Sequence, residues 1–112
     1  MNAMFSELIS EHRQYTAYVG QTVVLPCQPR DKKDVAWRYK TDVGSEDYVY
    51  SNGKIYEKFL GRVSMEKSAG GGYDLVIHNV NSTDATQYIC IEDGGFGARH
   101  IAELIVNGKF FT

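Results

Sequence analysis

A chain of 112 residues can bury one core of its own and is too short for two ordinary domains. Its composition, 43% hydrophobic and 23% charged, is that of a globular protein, and a formal net charge of -2 at pH 7 gives no general attraction to nucleic acid or anionic lipid. No apolar run approaches the roughly 18 residues that a membrane-crossing helix needs, so direct membrane insertion by this domain is not expected.

Helix-period patterns are nearly absent, whereas two-residue alternation recurs, which predicts an all-β domain. Residues 1–13 lack the basic start and apolar stretch of a signal peptide and read as a leader or cloning remainder, with the domain over 14–107 and a tail or linker over 108–112. A first edge segment is expected over 15–18. The next strand, 22–28, puts Val23, Leu25 and Cys27 on one face and Pro26 on the other. Over 34–40, Val35, Trp37 and Tyr39 alternate on one face. A polar connection over 41–46 leads to a strand over 47–50, and Asn52-Gly53 is a hairpin signal into a short edge strand over 54–57. A strand over 62–66 ends in the glycine-rich turn 68–72. Two further strands, 73–78 and 86–92, flank an Asn/Ser/Thr/Asp corner. After the loop 93–97, a last strand is expected over 98–106, for about nine strands in all.

Cys27 and Cys90 are the two cysteines, and without Cys-x-x-Cys spacing they do not make a zinc or thioredoxin-type site. They are either buried thiols or a disulfide made in an oxidising compartment. The disulfide is the favoured reading, and closing a loop of about 63 residues would then stabilise the fold by roughly 4 kcal/mol. Trp37 is the natural wedge against that pair. Tyr88, two residues before Cys90, is placed to turn its ring inward and its hydroxyl back to the corner backbone.

Cysteine, tryptophan, tyrosine and cysteine placed on strands in this order, together with Leu75, Ile77, Val80, Asp84, Tyr88 and Cys90 at their spacings, resemble the immunoglobulin superfamily from about residue 15 to 106. The resemblance implies a two-sheet antiparallel β-sandwich with Greek-key connections. The segment 42–59 has room for the two additional strands of a variable-type (V-set) domain, with an intermediate-set domain as the structural alternative. It also implies an ion pair between Arg62 and Asp84 at the lower edge of the sandwich. Phe96-Gly97 is similar to the first half of the Phe-Gly-x-Gly motif of antigen-receptor joining segments, and the pattern departs at Arg99, which stands in place of the second glycine.

No paired carboxylates, nucleophile with a base or metal-ligand spacing stands out, so neither an enzyme nor a cofactor is expected. His12, His78 and His100 read as surface or strand-end residues. The glycines around Phe96 precede a strand rather than a helix, which is not the arrangement of a phosphate-cradling loop. Asn81-Ser82-Thr83 fits the acceptor pattern for N-glycosylation on an exposed corner.

The stronger functional signal is one sheet face. With Val35, Trp37, Tyr88, Cys90, Leu104 and Val106 inward, alternation turns Ala36, Arg38, Lys40, Gln87, Ile89, Ile91, Glu103 and Ile105 outward. Three isoleucines there, with Tyr48 or Tyr50, are expected to form an exposed apolar patch ringed by Arg38, Lys40, Glu92 and Glu103, the anatomy of a protein interface. The alternative is that the inserted middle strands and the last loop cover them. Phe96 can project from that loop.

The expected function is noncovalent recognition of a protein ligand, or homodimerisation, by an extracellular domain, either secreted or in the ectodomain of a receptor, adhesion molecule or immune-type protein. Alternatives are recognition of carbohydrate or a microbial surface through Tyr48, Tyr50, Tyr56 or Phe96, and a structural spacer in a tandem immunoglobulin array.

Overall fold

The computed structural model describes residues 9–30 and 33–108. Within them the chain forms β1 (Ile9–Tyr18), β2 (Val23–Leu25), β3 (Ala36–Lys40), β4 (Glu46–Ser51), β5 (Lys54–Ile55), β6 (Val63–Lys67), β7 (Tyr73–Ile77), β8 (Gln87–Ile91) and β9 (Arg99–Asn107). Six strands make one sheet in the order β1-β9-β8-β3-β4-β5, and three make the other, β2-β7-β6. This is the all-β two-sheet sandwich that the sequence implied. No helix among the described residues is long and apolar enough to cross a membrane.

One pairing departs from the antiparallel expectation. β1 runs parallel to β9, from Ile9 beside Arg99 to Tyr18 beside Asn107. Parallel neighbours need a long connection, and here nearly the whole domain lies between the two strands. Residues 9–13, read from sequence as leader, therefore belong to a strand, because β9 offers them an edge. Residues 1–8 of the expected leader and 109–112 of the expected tail lie outside the described residues.

The Asn52-Gly53 turn has positive φ at both positions, 53° and 78°, the backbone twist that a two-residue hairpin between β4 and β5 requires. β4 also carries an irregularity absent from the sequence pattern. Trp37 pairs with Tyr50 and Arg38 with Tyr48, so Val49 is an extra residue in β4. Such a bulge re-aims side chains. Val49 and Tyr50 both enter the core, and Tyr50, expected as a candidate for the outer face, is 2% exposed.

The core lies between the sheets around a disulfide from Cys27 to Cys90, with Trp37, Leu25, Leu75, Ile77 and Leu104 buried about it. Trp37 fills its place without stranding a donor, since its indole N–H donates to the carbonyl of Tyr73 at 2.9 Å. The corner between β7 and β8 is a short 3-10 turn, Ser82–Asp84. Asn81 Oδ1 accepts from the N–H of Thr83, Asp84 Oδ2 accepts from the N–H of Asn81 at 2.9 Å, and Arg62 Nη2 donates to Asp84 Oδ2 at 2.6 Å. The Tyr88 hydroxyl donates back to the Asp84 carbonyl at 2.7 Å. The hydrogen bond to Asp84 pushes the Arg62 pKa further up, and burial, then the charge of Asp84, pushes that of Tyr88 up. The corner joins β6, β7 and β8 and fixes the direction in which β8 leaves toward the opposite end.

Candidate functional site

Register places the outward residues of the large sheet in rows. One row runs Arg99, Ile91, Ala36; the next Ile101, Ile89, Arg38, Tyr48; beyond it Glu103 pairs with Gln87, and Lys40 with Glu46. Ile105 and Lys40 lie exposed near the corner end of this face, and Gln87 and Glu103 are half-buried between them. At the β1 edge, Gln14 Nε2 donates to Glu103 Oε1 at 3.5 Å, and His12 lies 3.9 Å from the same oxygen.

The three isoleucines do not form the exposed patch expected of them. Ile89 and Ile91 do point away from the core, yet they are 1% and 3% exposed, and Ala36 beside them is buried. Two features cover them. Arg99 on β9 reaches Glu46 on β4 with Nη2 and Oε2 2.6 Å apart, crossing the outer side of the two strands between, β8 and β3. The loop after β8 folds back over the end of β3: the N–H of Gly94 donates to the Asp34 carbonyl at 2.8 Å, and a Cβ placed on Gly95 would stand 3.5 Å from that of Ala36. Long charged side chains laid over apolar ones in this way keep their heads in water while their stems shield the surface beneath.

The face is consequently polar and aromatic at its centre. Glu46 accepts from Arg99 on one side and has Arg38 on the other, with Arg38 Nε 3.8 Å from Glu46 Oε1 and Arg38 Nη2 donating to the Glu46 carbonyl at 2.8 Å. The Arg38 guanidinium stands 4.6 Å from the centre of the Tyr48 ring, and Tyr48 stacks on Tyr56 with centroids 5.3 Å apart. Tyr48 and Tyr56 both remain exposed. Glu46, expected in a connection, lies at the start of β4, and Arg99 and Ile101 join the expected members of the outer face. Alternation from Glu103 back along β9 was the available signal for the latter two; nothing local marked Glu46.

The loop from β8 to β9 is short and tied down. Glu92, expected as a rim charge, is buried instead: its Oε2 lies 2.6 Å from His100 Nε2, and its Oε1 accepts from the N–H of Arg30 at 3.1 Å. His100, expected at the surface, is buried in the same cluster because it pairs with Cys90 and so faces inward. The backbone of Glu92 closes the loop, donating to Ala98 O at 2.9 Å and accepting from the N–H of Gly97 at 2.8 Å. The approach at Gly97 is close, since a Cβ there would stand 3.0 Å from the Glu92 carbonyl oxygen. On this anchored loop Phe96 is 90% exposed. The β8–β9 ladder runs from Gln87 beside Glu103 to Ile91 beside Arg99 without a shift in register, and the irregularity at Arg99 and His100 lies in the pairing with β1, between Ile9 and Glu11.

The site residues read from sequence thus divide. Cys27, Cys90, Trp37, Tyr88, Arg62 and Asp84 build the core and corner; Arg38, Lys40, Tyr48, Gln87, Glu103 and Ile105 share the outer face; Phe96 stands at its upper end; Ile89 and Ile91 face outward but are covered, and Tyr50 faces inward and joins the core. Asn81 is exposed at the corner, at the other end of β8 from Phe96.

No protein-family model matches this chain. Among solved structures it is similar to the first immunoglobulin domain of the mouse polymeric immunoglobulin receptor, with a TM-score of 0.77 and 18% sequence identity over 95% of this chain and 99% of that one. That likeness establishes the fold as an immunoglobulin-like sandwich closed by a disulfide.

Proposed function

We propose that this chain is a V-type immunoglobulin domain of an extracellular protein, secreted or part of a receptor or adhesion ectodomain, that binds a protein partner noncovalently. The V-type reading is supported by the nine strands and by β4 and β5, which extend the large sheet beyond β3 as the additional strands of variable-type domains do. The extracellular reading is supported by the disulfide. The domain recognises and does not catalyse.

The observation that carries the binding function is Phe96. An aromatic side chain 90% exposed on a loop held by five backbone hydrogen bonds, from Gly94, Gly95, Phe96, Gly97 and Glu92, is presented at little entropic cost to a partner. Tyr48 and Tyr56 and the Arg38, Glu46 and Arg99 group extend the same surface with the residue types enriched at protein interfaces, Tyr and Arg. Tyr48 is already engaged by both Arg38 and Tyr56, which favours a protein surface over a sugar stacked on that ring.

A multimer of the domain applied to a displayed collection of cell-surface ectodomains, with its own ectodomain included, is expected to find a partner. Phe96→Asp should weaken that binding by tenfold or more, while unfolding stability changes by less than about 0.5 kcal/mol. Binding that is indifferent to Phe96→Asp would exclude this surface. A monomer that binds no ectodomain would favour the spacer.

A further inference from the structure

Asn81, Ser82 and Thr83 are all exposed on the turn between β7 and β8. The asparagine amide is engaged through its oxygen alone. Oδ1 accepts from the backbone N–H of Thr83 at 2.9 Å and also from the Thr83 hydroxyl, while Nδ2 donates to no protein group among the described residues. The atom that caps the turn and the atom that a glycosyl acceptor uses are therefore different atoms of one side chain.

We propose that Asn81 carries an N-linked glycan and that the capped turn survives the modification intact. In the transfer, Nδ2 attacks the anomeric carbon of an oligosaccharide held as a lipid-linked diphosphate. The C–N bond forms, the C–O bond to the diphosphate breaks, the lipid diphosphate leaves with the electron pair, and the proton lost from the amide is taken up by that departing diphosphate. No oxidation or reduction is involved. Oδ1 stays available to Thr83, and the N–H of Asn81 stays on Asp84.

The glycan stands at the corner end of the sandwich. The whole of β8, Gln87–Ile91, separates it from the loop that bears Phe96, a distance of about 17 Å for five extended residues. A glycan there covers the corner end and leaves the Phe96 end open, so a partner approaches from the latter. The inference goes beyond the proposed function and shares with it only the secretory route: a secreted, folded chain lacking the glycan would leave the Phe96 test untouched.

The test is secretion of the full chain from eukaryotic cells, with intact mass measured before and after peptide N-glycanase in heavy-oxygen water. The expected result is a mass that falls on treatment and an oxygen-labelled aspartate at position 81, with Asn81→Asp and Thr83→Ala secreted at the unmodified mass. The enzyme leaves aspartate at the cleaved site, so trimmed wild type and Asn81→Asp are the same polypeptide, and aspartate caps a turn as well as asparagine does. The glycosylated form, the trimmed form and Asn81→Asp should therefore share one unfolding midpoint. Wild type that is secreted and folded at the unmodified mass overturns the proposal. A glycosylated form that melts well below Asn81→Asp overturns the claim that the turn survives.

Discussion

Replacing Asp84 with alanine tests whether the corner holds the sandwich together. The substitution removes two contacts of one oxygen, to Arg62 Nη2 at 2.6 Å and to the N–H of Asn81 at 2.9 Å, and leaves the backbone carbonyl that accepts from Tyr88. The charge-assisted bond is worth about 1.5–3 kcal/mol, and loss of the capping contact costs about 1 kcal/mol more. The Asp84 side chain is 6% exposed but that of Arg62 is 37%, so the stranded guanidinium can turn to water. The full penalty of a broken buried pair, about 3–5 kcal/mol, is therefore not reached. The expected loss is about 2–4 kcal/mol by denaturant unfolding followed through Trp37 fluorescence, with an unchanged m-value. In a double-mutant cycle with Arg62→Met, the two residues should show a coupling of about 1–2 kcal/mol. A loss below about 0.5 kcal/mol, or effects that simply add, would mean that the ion pair is ornamental and the corner is held by packing alone.

The hydroxyl of Tyr50 donates to Asp34 Oδ1 at 3.0 Å, and burial, reinforced by that bond, pushes its pKa up to about 12. Because the folded value lies above the unfolded one, this stabilisation is complete below about pH 10 and is lost as pH rises through about 12. Tyr50→Phe should accordingly flatten the fall of stability across that window, and denaturation curves with equal pH slopes for the two proteins would exclude the linkage. Cys90→Ala, compared with wild type under nonreducing conditions, should lower stability by roughly 4 kcal/mol for the 63-residue separation of the bridge; coincident unfolding midpoints would show the cross-link to be unimportant. Ile89→Ala should cost about 2–5 kcal/mol although the residue faces away from the core, whereas Ile105→Ala on the same face should stay within about 0.5 kcal/mol. Similar small effects for both would refute the covering of Ile89 by the charged side chains above it.

Much of the architecture was legible because it depends on local period and on residues with few alternatives. Alternation from Val35 to Tyr39 and from Gln87 to Ile91 gave the strands, Asn52-Gly53 gave the hairpin, and Trp37, Tyr88 and the cysteine pair gave the core and the corner. Strand ends were shifted by a residue or two, except at the end of β2, which stops three residues early at Leu25, and at the start of β1. Its start at Ile9 depends on an edge supplied by β9, some ninety positions later in the chain, and no local pattern announces that edge.

The candidate site was less legible. Period two assigned Ile89 and Ile91 correctly to the outer side of the large sheet, and in that respect the chain's own pattern was sufficient. Whether an outer side is open is decided by other segments: Arg99 and Glu46 meet over β8 only because the order β9-β8-β3-β4 sets them on either side of it. Tyr50 shows the same limit within one strand, since a single extra residue at Val49 reverses the face that alternation assigns. His100 and Glu92 are ordinary polar residues until the hairpin register brings them together beneath the loop. The sequence by itself therefore determined most of the strands and the side that most of their residues take, because these follow from backbone geometry and near neighbours. The tertiary structure alone decided which of those sides meets water, because coverage is made by residues distant in the chain.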